Sequence, residues 1–299
     1  MEKFLSKQLY SIVENAPDVL RDAMVHAVFS GGGRVRPNLV LHIAKALGAK
    51  QDNVTLAAAT AVEFIHCASL VHDDMPCFDN ADVRRGRPSV HRAFGDRIAL
   101  LVGDGLIAGA FEVLARNAAH HPNFAAMVKE AARSIGASDG LVSGQAWEDQ
   151  PGAAVETVHE KKTGALFEAA TVMAALVAGT DEQPWRRLGR LIGAAYQVAD
   201  DLLDAAGSAE AAGKPVHQDA RPETASAVKS YGLSLAVSRF NALVEEAVLS
   251  IPECREKEKI ESLVRTIAAR LCPPSLVGEP SDGRTQLEHS VPAHVAQAV

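Results

Sequence analysis

The sequence predicts an all-α fold, a single helical bundle with a layered interior. Three observations carry this. Aromatic residues make up only 5% of a chain that is 47% hydrophobic, while Ala, Leu and Val abound; that balance suits closely packed helices better than a β-sandwich. Apolar residues recur at helical spacing between Gly, Pro and Asn breaks, and no β-alternating run of useful length interrupts them. With 299 residues, the chain is long enough to bury a substantial core.

Taken in order, the breaks set off helical segments near 2–30, 37–48, 53–77, 89–93, 95–118, 122–146, 154–179, 184–206, 223–250 and 255–271. TLAAATAVEFIHCASLV and RLGRLIGAAYQVADDLLDAA are apolar on nearly every face, as central helices surrounded by others must be. No low-complexity linker precedes residue 273 and no fixed-period repeat is present, so one domain over 1–272 is expected. The stretch 273–299 concentrates Pro, Gly, Ser and charge, which predicts a flexible tail.

A net charge of −7 gives no global attraction to nucleic acid, so any polyanion must be held by a local basic cluster. Cys67, Cys77, Cys254 and Cys272 form no CxxC pair and have no zinc spacing; they read as free, buried thiols in a reducing cytoplasm. The N-terminal stretch lacks a signal-peptide pattern. The longest apolar run, IALLVGDGLIAGAFEVLA, carries Asp104 and Glu112, and so reads as a buried core helix with no membrane span.

Two acidic clusters interrupt this apolar pattern. Asp73, Asp74 and Asp79 follow EFIHCASLVH, and Pro76 should end or bend that helix near Met75. Both Asp73 and Asp74 then sit at a helix C-terminus, where the dipole penalises each carboxylate by about 0.3–1 kcal/mol. Asp200, Asp201 and Asp204 close a second apolar helix, with Asp200 and Asp204 four apart on one face. A divalent cation reverses both penalties, and Mg²⁺, which keeps waters and accepts substrate phosphate, suits such oxygen donors.

The basic residues point to phosphate. Arg84 and Arg85 follow the first cluster, and SGGGRVRP sets Arg34 and Arg36 after glycines whose amides are unhindered. Lys161, Lys162 and Thr163 head a third apolar helix, and His66 lies one face with Asp73. No P-loop, dinucleotide fingerprint, GxSxG elbow or HExxH pair is present, which removes nucleotide hydrolysis, hydride transfer and serine hydrolysis.

GGGRVRP, EFIHCASLVHDDMPCFDNADVRRGRPSVH, KKTGALFEAA and YQVADDLLD, in this order and spacing, resemble the trans-isoprenyl diphosphate synthases over residues 25–250. Within that family the likeness is nearest to the geranylgeranyl diphosphate synthases of carotenoid and bacteriochlorophyll pathways in purple photosynthetic bacteria. The resemblance implies a bundle around a deep central cavity, a homodimer, and two aspartate motifs facing across the cavity mouth. It also implies that Asp73, Asp79 and Asp200, with Asp74, Asp201 and Asp204 close by, hold three Mg²⁺ on an allylic diphosphate. Arg84, Lys162 and Lys214 would grip that diphosphate; Arg36, His66 and Arg85, with Arg34 nearby, would bind isopentenyl diphosphate.

The same resemblance gives the Lys162 carbonyl, Thr163 and Gln197 to the stabilisation of an allylic cation. Ala68 and Ser69, five and four residues before Asp73, stand where short-chain relatives carry an aromatic; their small size favours a twenty-carbon product. Two departures accompany the match. Gly33 replaces a usual lysine, and Glu223 stands in RPET where a second basic residue is usual. The alternatives are a farnesyl diphosphate synthase, a noncatalytic regulatory subunit, and a terpene cyclase, which would leave Arg36, His66 and Arg85 unexplained.

Overall fold

Pro17 divides the first expected segment. The computed structural model describes residues 1–152, 157–158, 160–211 and 232–272, the side chains of 204–211 excepted. Where one helix over 2–30 was expected, α1 (Glu2–Ile12) and α2 (Asp18–Val28) stand. Pro17 at the N-cap of α2 has ψ 142° and no amide hydrogen, so α1 cannot run through it. The apolar spacing persists across the break, which is why periodicity alone missed it.

The next helices fall close to expectation: α3 (Val35–Ala46), α4 (Asn53–Asp73), α5 (Val90–Phe94) and α6 (Asp96–Ala118). The Asp52 carboxylate caps α4, accepting from the amides of Val54 and Thr55 at 3.0 and 3.2 Å. Between α4 and α5, β1 (Val83–Arg84) and β2 (Arg87–Pro88) pair antiparallel. Arg85 and Gly86 turn between them with φ of 54° and 73°, as a two-residue hairpin requires.

The expected helix over 122–146 is two, α7 (Phe124–Ile135) and α8 (Leu141–Glu148), broken at GASDG. A π-helical turn, Glu160–Gly164, leads into α9 (Ala165–Ala178). Then come α10 (Gln183–Ala211), α11 (Leu233–Leu249) and α12 (Lys257–Leu271). The expected end of α10 near 206 needs correction. Its Ala-rich continuation stays helical to Ala211, so Asp200, Asp201 and Asp204 lie within the helix and do not close it. The predicted tail over 273–299 lies outside the described residues.

Contacts divide the chain into two compact units. One comprises Met1–Leu41 and Lys50–Ala131; the other comprises His42–Ala49 and the described residues from Ala132 onward. In the first, α4 packs along α6, with α1 and α2 also against α6. Leu5, Leu9, Phe64, Ile65, Leu106 and Leu114 are among its wholly buried large side chains.

In the second unit α10 packs on α9 and α11. The α9–α10 approach is close enough that a Cβ on Gly189 would stand 2.4 Å from the Glu168 Cα. Phe167 and Tyr196 rings meet at 5.1 Å, and the Thr171 hydroxyl donates to the Trp185 carbonyl at 2.7 Å. The buried Glu168 carboxylate binds Arg133, Arg186 and Arg190, tying α7, α9 and α10 together.

By length and composition α4 and α6 could each cross a bilayer, but they differ in cover. The most apolar window of α4 is 72% buried and that of α6 only 44%. Leu100 and Leu101 stand half exposed on α6, which is therefore not the fully enclosed core helix expected.

Candidate active site

In the first unit, α4 ends where the sequence places its acids. Asp73 is the last helical residue and is half-buried; Asp79 is exposed, and its amide donates to the Asp73 carbonyl at 2.9 Å, folding the loop back onto the helix end. Asp74 behaves differently. Its carboxylate is buried and takes the Arg84 guanidinium, Nη2 to Oδ1 at 2.6 Å and Nε to the two oxygens at 3.1 and 3.2 Å. Burial works against the charge on Arg84, and the Asp74 bond and the charges of Asp74, Asp73 and Asp79 outweigh it, raising its pKa.

Beside this end lies the glycine loop. The Arg85 Nη1 donates to the Gly31 carbonyl at 2.5 Å, and its guanidinium covers Gly32 so closely that any Cβ there would overlap it. Gly32 also has φ 107°, a conformation that L side chains rarely adopt. Arg36 is buried at the start of α3, with its Nη1 3.3 Å from His66 Nε2 on α4. Burial, then Arg36, Arg85, Arg34 and Arg84, hold the His66 pKa well below its ordinary value, so this imidazole is neutral in an electropositive setting.

Arg34 was expected near a substrate, but its guanidinium is committed inside the protein. Nε donates to Glu2 at 2.9 Å, Nη2 to the Val28 carbonyl at 2.7 Å, and Nη1 to Glu63. Burial opposes the charge, and the carboxylates of Glu63 and Glu2 outweigh it and raise the pKa. Its φ of 47° is left-handed, which costs a non-glycine residue about 1–2 kcal/mol.

In the second unit, the π-turn carries Lys161, Lys162 and Thr163. The Lys162 ammonium donates to Glu148 at 2.7 Å, and Lys161 to the Ser138 carbonyl and Asp139 at 2.6 and 3.1 Å. The Lys162 backbone lies on Gly144 of α8, where a Cβ would overlap its amide. The Thr163 hydroxyl donates to Gln197 Oε1 at 2.7 Å, and Gln197 Nε2 donates to Asp201 at 3.4 Å. Asp201 is buried and Asp200 half-buried. Lys214 and the side chain of Asp204 lie outside the described residues.

The two acidic pairs therefore share a pattern. In each, the second Asp is buried and held by a neighbour, Asp74 by Arg84 and Asp201 by Gln197, while the first is less enclosed. Among the described residues no three His, Cys, Asp or Glu side chains converge on one point. The donors are nonetheless all carboxylate oxygens, which fit a hard divalent ion that keeps water and substrate oxygens in its shell. Sequence reasoning missed Glu63, Glu148 and Glu168. Glu63 and Glu168 are single acids inside apolar helices, a signal that an internal cation is needed.

A family model for polyprenyl synthetase matches residues 17–267. The chain belongs to the polyprenyl synthetase family. It is 46% identical to the geranylgeranyl diphosphate synthase of Cereibacter sphaeroides over 259 residues, 86% of this chain and 90% of that one. It is 44% identical to the geranylgeranyl diphosphate synthase of Rhodobacter capsulatus, covering 86% and 89%. Among solved structures, an FPP/GFPP synthase from Zymomonas mobilis superposes with a TM-score of 0.74 at 31% identity, covering 89% of this chain and 95% of that one. Arg36, His66, Arg84 and Arg85 lie within the matched residues, beside the acidic end of α4.

Proposed function

We propose that the protein is a geranylgeranyl diphosphate synthase, condensing isopentenyl diphosphate with dimethylallyl, geranyl or farnesyl diphosphate. Family membership and the names of the two bacterial relatives support the reaction and the product. The observation that carries the site is the acidic end of α4 beside the Arg36, His66, Arg84 and Arg85 group.

In this reading Asp73, Asp79 and Asp200 are the principal ligands of Mg²⁺, three ions by family likeness, with Asp201 and Asp204 adjoining. Asp74 moves from the metal group to the holding of Arg84, because its oxygens are already taken by that guanidinium. When bound, the ions supply Lewis-acid charge that makes diphosphate a leaving group. Arg84, Lys162 and Lys214 hold the allylic diphosphate, with Lys162 exchanging Glu148 for it, and Arg36, His66 and Arg85 hold isopentenyl diphosphate.

The allylic C–O bond breaks, the isopentenyl double bond forms the new C–C bond, and a proton is lost to the departing diphosphate. Oxygens of Lys162, Thr163 and Gln197 face the developing positive charge. Ala68, buried in α4, and Ser69, whose hydroxyl donates to the His66 carbonyl at 2.9 Å, leave room for a growing chain. Phe64, one turn deeper than Ala68 and wholly buried beside Gly109, is the first aromatic on that face.

The enzyme acts in the cytoplasm as one domain and as a homodimer whose second copy covers Leu100 and Leu101. Carotenoid and bacteriochlorophyll synthesis would consume the product. Incorporation of labelled isopentenyl diphosphate into longer prenyl diphosphates, with Mg²⁺ and then with a chelator, tests the reaction; no elongation with Mg²⁺ present contradicts it.

A further inference from the structure

Arg34 and Arg36 are two residues apart at the start of α3, and Glu63 and His66 are three apart on α4. They form two rungs between the same segments: Arg34 with Glu63, and Arg36 with His66. The first rung is closed. Glu63 is 1% exposed, the Arg34 side chain 12%, and every guanidinium nitrogen of Arg34 has a protein acceptor. Those acceptors come from Glu2 at the start of α1, Val28 at the end of α2, and Glu63 in α4. The left-handed φ of Arg34 is a conformation its contacts must enforce.

At the other end of the glycine loop, Arg85 grips the Gly31 carbonyl. The loop over Gly31–Gly33 is thus fixed on both sides, and Gly33 brings no side chain of its own to the anion.

We propose that the Arg34–Glu63 pair is a positioning device for the isopentenyl diphosphate subsite: it sets the register of α3 on α4 and so aims Arg36 and His66, without touching substrate. This rests on the reading that Arg36, His66 and Arg85 form that subsite. A structural pair elsewhere would lower stability and leave the two Michaelis constants in proportion. A register device changes one of them selectively.

The test is steady-state kinetics on the full chain, varying isopentenyl and allylic diphosphate separately. In Arg34→Lys a single ammonium replaces the planar fork and cannot reach Glu2, Val28 and Glu63 together. KM for isopentenyl diphosphate should rise roughly ten- to hundredfold, the scale of a misplacement of about 1 Å, with KM for the allylic substrate within about twofold. Should Arg34→Lys fail to fold, the double variant Arg34→Met, Glu63→Met fills the site with apolar groups and removes both charges of the pair. It too should show the selective rise.

Wild-type KM for isopentenyl diphosphate in a folded variant, or an equal rise in both constants, overturns the proposal. Arg85→Ala separates the two levels. If it raises KM for isopentenyl diphosphate while the Arg34 variants do not, only the positioning role is lost; if it does not, the subsite assignment fails and takes the proposal with it.

Discussion

Asp74 binds the Arg84 guanidinium through both carboxylate oxygens, 2.6 to 3.2 Å away, while Asp73 beside it ends the helix half-buried. Two adjacent aspartates thus stand in different surroundings, and the proposed roles follow that difference. Asp73→Ala should lower the rate by roughly two orders of magnitude or more, because a metal ligand carries several kcal/mol of transition-state stabilisation. Asp74→Asn should cost about tenfold at most in rate, acting through the placement of Arg84. Its stability should fall by about 1–3 kcal/mol, the range for a buried group losing a charged partner; Asp73→Ala should melt near the wild type. Thermal melts alongside initial rates decide it, and equal rate losses would return Asp74 to the metal.

His66 gives the fold a pH dependence. Its pKa when folded lies below the ordinary 6.5, because burial and four arginines disfavour its charge. The unfolded chain therefore binds more protons at mildly acid pH, and stability present above about pH 6.5 is lost as pH falls from there toward the folded pKa. Urea titrations at pH 7.5 and 5.5 should show the loss, and His66→Gln should reduce it. An unchanged slope in that variant would mean that the acid sensitivity lies elsewhere.

Thiol chemistry reports on the acidic loop. Cys77, between Asp74 and Asp79, is exposed, whereas burial, then Glu63, pushes the Cys67 thiol up to about 12. Native alkylation at pH 8 should mark Cys77 and spare Cys67. Mg²⁺ with an allylic diphosphate should slow the Cys77 reaction. Peptide mapping checks both, and indifference of Cys77 to the pair would count against the metal assignment.

The uncovered side of α6 carries the dimer claim. Leu100→Asp with Leu101→Asp places charge on half-exposed positions, so the monomer should fold. Light scattering should show a shift from dimer to monomer in the variant. A monomeric wild type, or a variant still dimeric, contradicts the assignment.

The helices were legible because their apolar spacing and breakers agree, as with Asp52 before α4 and Pro76 after it. The missed breaks, at Pro17 and across GASDG, fall where apolar spacing continues through a turn. The acids were legible as motifs, but the different burial and partners within each pair were not. A sequence shows Asp73 and Asp74 as equals, and only folding brings the Arg84 fork to one of them. The surroundings of Arg34 were hidden for the same reason: beside a glycine loop, a buried arginine and a substrate-facing one look alike. Glu63, a lone acid in EFIHCASLV, was the clue to its partner.

The most direct measurement is the chain length of the product formed by the purified protein from Mg²⁺, isopentenyl diphosphate and dimethylallyl diphosphate. The expected result is a twenty-carbon prenyl diphosphate, with shorter chains only as intermediates. A product that stops at fifteen carbons would contradict the length assignment to Ala68 and Ser69, and no elongation at all would contradict the enzyme.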